Sequence, residues 1–168
     1  SPKGKYISFV RQQNLYVIDL ETGAEQQLTK DGAGTIHNAE AEFIAQEEMG
    51  QTSGYWWAPD DSAIAFKRFD ESPVPVARRF EIYADRTEVV EQRYPYAGAK
   101  NVLVSLAIVS LVDRVIRPVD LGKETDIYLV SADWSKNAKQ LVFQRLSRDQ
   151  KTLDLVSVDV ASLTQRIL

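Results

Sequence analysis

Few residues in this 168-residue chain could do covalent chemistry. It holds one histidine, His37, and no cysteine. A Ser-His-Asp triad needs its imidazole beside a nucleophile. No serine stands in a G-x-S-x-G frame; the nearest stretch, Gly50-Gln51-Thr52-Ser53-Gly54, departs from it. His37 lies among the turn residues Gly32, Gly34 and Asn38. Catalytic and metal sites recruit several partners, so His37 reads as an ordinary loop histidine. Without thiols there is no thiolate metal site and no disulfide framework. The expectation is a chain with no cofactor, no metal and no catalytic residue of its own.

The remaining chemical candidates are acids. Seven stand between Asp31 and Phe66 with no Lys or Arg among them: Asp31, Glu40, Glu42, Glu47, Glu48, Asp60 and Asp61. An acid run is commonly a solvated face, and Asp60-Asp61 reads as a turn. Glu47 and Glu48 are neighbours. Adjacent carboxylates repel, and in a dry pocket one tends to keep its proton. On a strand they would point to opposite faces, so convergence needs helix or turn backbone. A glycosidase pair wants its carboxyls ~5–9 Å apart on opposite sides of a bond, which sequence neighbours rarely manage.

The segment that must carry the pair, Ala39 to Met49, is rich in helix formers, with Asn38 as a candidate cap. The rest of the chain reads as β. Strand patterns run over Lys5–Val10, Asn14–Leu20, Ser62–Arg68, Arg79–Tyr83, Val102–Leu111, Asp126–Val130, Gln140–Arg145 and Asp154–Asp159, and another starts at Gln26. Two patterns repeat. Ser1-Pro2-Lys3-Gly4 leads into a strand ending on Phe9. Ala58-Pro59-Asp60-Asp61 leads to Phe66, and Ser135-Lys136-Asn137-Ala138 leads to Phe143. Asn14 to Asp19 likewise matches Asp154 to Asp159. A turn, a strand, a hairpin and an Asp-x-x-Thr-Gly-type turn, repeated, is the pattern of four-stranded propeller blades, with a β-sandwich as the alternative. The copies are spaced more widely than the ~40–50 residues of a plain blade. The expected division is therefore blade repeats near 1–30, 55–110 and 126–168, with insertions near 35–54 and 69–100.

Composition bounds the rest. The chain is 44% apolar and 26% charged with net charge −4. This is ordinary for a globular chain and argues against a nucleic-acid face. The longest near-apolar run, Val102 to Val112, falls short of the ~20 residues a spanning helix needs. The start at Ser1-Pro2-Lys3 reads as a beginning in mid-protein.

The insertions carry a resemblance. Glu42-Phe43-Ile44-Ala45-Gln46-Glu47-Glu48-Met49, followed by Gly54-Tyr55-Trp56-Trp57-Ala58-Pro59-Asp60, resembles the double-glutamate segment of the dipeptidyl peptidase IV family of prolyl oligopeptidase-type serine peptidases. Phe69 to Val76 and Tyr94 to Asn101 resemble its propeller extension, and Asp133-Trp134 fits its next blade. The absence of cysteine is more like bacterial members. The resemblance implies an all-β fold: a partial propeller of about three four-stranded antiparallel blades, a short helix carrying Glu47-Glu48, and an extended hairpin arm. It implies that the triad lies on a hydrolase domain outside this chain, and no match to the family's substrate-binding propeller arginine is assignable.

The family removes dipeptides from free N-termini, preferably after Pro or Ala. The implied role of Glu47 and Glu48 is to bind the substrate's α-ammonium, each carboxylate accepting a charge-assisted hydrogen bond. An acetylated or extended N-terminus would be rejected, so exopeptidase specificity comes from exclusion. Tyr55, Trp56 and Trp57 are expected to pack between blades and brace the loop. The second insertion mixes six bases and six acids between Lys67 and Arg93 with apolar residues such as Val76, Phe80, Ile82 and Val89. That composition, with the resemblance, points to a homo-oligomer contact through the 69–100 arm. Expected partners are thus a peptide N-terminus and a second copy, with no nucleic acid and no membrane span; the implied location is periplasmic or secreted. The competing functional reading is a non-catalytic peptide- or protein-binding propeller.

Overall fold

Strand alternation sets the architecture. Ala63 and Ala65 point to one side, Ile64 and Phe66 to the other, and all four are buried. A strand covered on both faces must lie inside a stack of sheets. The computed structural model describes residues 1–168 and shows that stack: three antiparallel sheets, a two-stranded arm and one short helix.

The first sheet holds β1 (Tyr6–Arg11), β2 (Asn14–Asp19) and β3 (Glu25–Gln27) in that order. Gln12 and Gln13 join β1 to β2 with φ of 50° and 61°, as a two-residue type I′ turn requires. The chain continues through β4 (Ile36–Asn38), helix α1 (Phe43–Met49), β5 (Tyr55–Trp57) and β6 (Ala63–Asp70). An arm of β7 (Val76–Ile82) and β8 (Thr87–Arg93) precedes β9 (Leu103–Ser110) and β10 (Ile116–Val119). The second sheet has the order β10-β9-β6-β4, and β5 also pairs with β6. The third is a meander of β11 (Ile127–Trp134), β12 (Gln140–Ser147), β13 (Leu153–Asp159) and β14 (Gln165–Ile167).

Side chains from the two faces of the second sheet fill two cores. Ala65, Leu106 and Ile108 meet Leu129, Leu141 and Phe143 of the third sheet. Ile64, Phe66 and Val109 meet Leu15 and Val17 of the first. This is blade stacking, and the nearly all-β partial propeller stands as expected. Backbone geometry marks the repeats as well. Gly4, Asp61 and Ala138 occupy the same place in the three repeated turns, and all are left-handed (φ 71°, 64° and 58°). Gly23 and Leu163 likewise match at the end of the Asp turn (φ 71° and 59°). In both copies the aspartate, Asp19 or Asp159, accepts two backbone N–H bonds.

The second blade departs from the plain pattern at its first strand. β4 pairs with Arg68–Asp70 and β5 with Ile64–Phe66, so both lie along the same edge of β6. Lys67 sits between the two pairings. The edge strand is cut there, and α1 is spliced into the cut. No helix is long and apolar enough to cross a membrane.

Candidate functional site

The excursion that carries α1 closes on a three-way backbone contact. The Ala39 N–H donates to the Lys67 carbonyl (2.8 Å), the Lys67 N–H to the Gly54 carbonyl (2.7 Å), and the Gly54 N–H to the Ala39 carbonyl (2.9 Å). Only glycine fits at position 54, because a Cβ there would lie 2.1 Å from the Glu40 carbonyl oxygen.

The helix starts later than the sequence suggests. Asn38 is not its cap. It belongs to β4, is buried, and its amide donates to Asp31 (2.9 Å). Ala39 then takes a left-handed φ of 62°, which stops any helix beginning at 38. The cap is Glu42, whose carboxylate accepts from the Ile44 N–H at 2.7 Å. Gly50 ends the helix with φ 64°, its N–H on the Ala45 carbonyl. Seven residues are too few to hold a helix without tertiary support. Ala45, fully buried, anchors one side.

Glu47 and Glu48 both lie on α1 with exposed side chains. Successive residues on a helix are turned by about 100°, so the two share an outward sector that a strand would deny them. A cavity of about 410 Å³ opens between the start of α1 and the base of the arm, lined by His37, Glu40, Glu42, Glu71, Arg93 and Asn101 among others; neither glutamate of the pair lines it. His37 is on a strand rather than a loop. Its Nδ1 lies 2.6 Å from Glu40, and its ring stacks on Phe69 with centroids 4.6 Å apart. These contacts give it a packing role.

Not all of the acid run is solvated. Glu42 and Asp61 are each 4% exposed. Asp61 accepts from the Ser1 hydroxyl (2.7 Å) and the Lys3 N–H (3.0 Å), joining two blades. Burial pushes the Asp31 carboxyl up, but hydrogen bonds from Arg68 (2.6 Å) and Asn38 outweigh it and hold the group below its ordinary value. Beneath the helix lies Lys67, fully buried. Its Nζ donates to Gln51 Oε1 at 2.9 Å and lies 3.9 Å from Glu42 Oε1. Burial pulls this ammonium down to about 8, with Glu42 opposing the fall. Gln51 passes the contact on: its amide donates to the carbonyls of Leu129 (3.3 Å) and Val130, where β11 bulges.

The aromatic block braces the blades as expected. Trp57 Nε1 donates to Ser8 (2.9 Å) and its ring stacks on Tyr6; Trp134 Nε1 donates to the Trp56 carbonyl (2.9 Å). On the other side, Tyr94 meets Phe43 of α1 edge-on at 5.1 Å and Tyr96 at 4.8 Å, joining the arm's base to the helix.

Reading the sequence as motifs passes over Lys67 and Gln51. A signal for Lys67 was present. Ala63, Ala65, Lys67 and Phe69 alternate along one strand face, and a lysine among three core residues must be buried and partnered.

The family model for the dipeptidyl peptidase IV N-terminal region matches residues 1–168. Dipeptidyl aminopeptidase A of Saccharomyces cerevisiae is 31% identical over 96% of this chain, which spans 18% of that relative. The crystal structure of Porphyromonas gingivalis dipeptidyl peptidase 4 superposes with a TM-score of 0.92 at 32% identity, covering 99% of this chain and 24% of that one. The chain thus spans about a fifth of the length of the proteins it matches.

Proposed function

Since the chain belongs to the dipeptidyl peptidase IV family, within its N-terminal region, we propose that it is the substrate-gating part of a serine exopeptidase that removes N-terminal Xaa-Pro or Xaa-Ala dipeptides. Glu47 and Glu48 bind the substrate's α-ammonium. One observation carries this reading: two adjacent, exposed carboxylates stand on a helix spliced into the edge strand of a blade. A carboxylate pair accepts only donors, and an ammonium offers three. The attraction also relieves the repulsion between the two anions. Binding at a fixed distance from the scissile bond measures a dipeptide, and an acylated amine has no charge to offer.

The test uses the full-length protein and a chromogenic Xaa-Pro substrate. Glu47→Gln and Glu48→Gln should each lower kcat/KM roughly 10- to 150-fold, the equivalent of losing ~1.5–3 kcal/mol for a hydrogen bond to a charged group. Unchanged kcat/KM in both variants removes the role.

The arm adds a partner to this proposal. Phe80 pairs with Val89 across the hairpin, and Ile82 lies on the same face. These three side chains are 69%, 57% and 81% exposed. The neighbouring charges are spent on one another: Arg78 on Glu91, Arg79 on Glu81 and Arg86 on Glu88. An apolar tip rimmed by self-paired charge fits a second copy of the same chain.

A further inference from the structure

We infer that Lys67 is a positioning residue for the Glu47-Glu48 helix, gripping both ends of the excursion that carries it; this rests on the ammonium-binding reading above. The backbone of Lys67 already joins the neck, bonding Ala39 on one side and Gly54 on the other. Its side chain then runs under the helix. The ammonium lies 3.9 Å from Glu42, the residue that starts α1, and donates at 2.9 Å to Gln51, the residue after the Gly50 cap. Gln51 in turn bonds the bulged carbonyls of β11. One cation therefore ties the first turn, the last turn and the next blade together.

The tie has no solvent to compete with it, because Lys67 is fully buried and Glu42 nearly so. A buried charge stays only where partners hold it, and removing one strands the other. The helix is too short to fix itself. A shift of the carboxylate pair by an ångström would stretch its hydrogen bonds to the substrate ammonium and weaken binding.

Lys67→Met keeps the stem and removes the charge. In the full-length protein it should raise KM for a free-amine Xaa-Pro substrate about tenfold and leave kcat within about twofold, whereas plain loss of folded enzyme lowers kcat and leaves KM alone. Because this variant leaves Glu42 buried and unpaired, Glu42→Gln/Lys67→Met is made beside it. That pair should recover thermal stability while KM stays raised; recovery of KM together with stability overturns the inference. Hydrogen–deuterium exchange gives a second readout that needs no activity. Amides of residues 43–54 should exchange at least tenfold faster in either variant, and unchanged exchange overturns the positioning role. Glu47→Gln and Glu48→Gln run in the same assay separate the two claims. If they raise KM and Lys67→Met does not, Lys67 alone is refuted. If they are silent while exchange at 43–54 rises, the ammonium reading falls and the positioning of the helix stands.

Discussion

Lys67 and the glutamate pair stand at opposite ends of the solvation scale. Glu47 and Glu48 are exposed, so their charges are cheap to keep in water. Lys67 is fully buried, and its folded pKa falls from 10.5 to about 8. The sign of the linkage follows. The unfolded chain holds this proton more tightly than the folded one, so charged Lys67 weighs against folding at and below pH 8. That burden lifts as pH rises from about 8 to about 10.5, a gain of about 3 kcal/mol from this group. Urea unfolding of wild type should therefore gain on Lys67→Met across this window, and parallel curves would refute the buried charge. The sequence singles out Glu47 and Glu48 because they sit in a specific motif, and the structure puts both on α1 with exposed side chains. The alternation along β6 marks Lys67 as buried, but its partners Glu42 and Gln51 meet it only in the fold, so its tie to the helix had no sequence signal.

At the scale of elements, the helix was legible in kind and displaced in extent. Ala39 to Met49 has helix-forming composition, yet Ala39 to Ala41 are used to leave the blade. The deciding features are the left-handed Ala39 and the carbonyl contact at Gly54, and neither has a composition signal. Strands β4 and β5 are three residues each and exist through their pairing with β6, so no local pattern announced them. Gly54→Ala puts a methyl 2.1 Å from the Glu40 carbonyl oxygen. It should cost about 1–3 kcal/mol, as overpacking does, and open the neck under α1. A lower melting temperature with raised KM is expected; wild-type values in both would show that the neck is dispensable.

For the whole molecule, the repeats were enough to read the blades. The same turn precedes β1, β6 and β12, and strands at one position in successive blades need the same entry geometry. What the repeats could not show is how the arm stands. The alternation of β7 and β8 places Phe80, Ile82 and Val89 on one exposed face. Phe80→Asp with Val89→Asp should convert a dimer of the full-length protein to monomer in light scattering at micromolar concentration, since a charge in an apolar contact is strongly unfavourable. A dimer that survives the double change places the contact elsewhere.

The gating role is tested most directly by selectivity. The ratio of kcat/KM for a free-amine Xaa-Pro substrate to that for its N-acetylated form reports what the carboxylates recognise. In Glu47→Gln/Glu48→Gln the free-amine rate should fall by roughly 100-fold or more, the scale of lost charge-assisted hydrogen bonds, while the acetylated rate stays put or rises, so the ratio collapses. A double variant that keeps the wild-type ratio would mean that the amine is recognised by other groups.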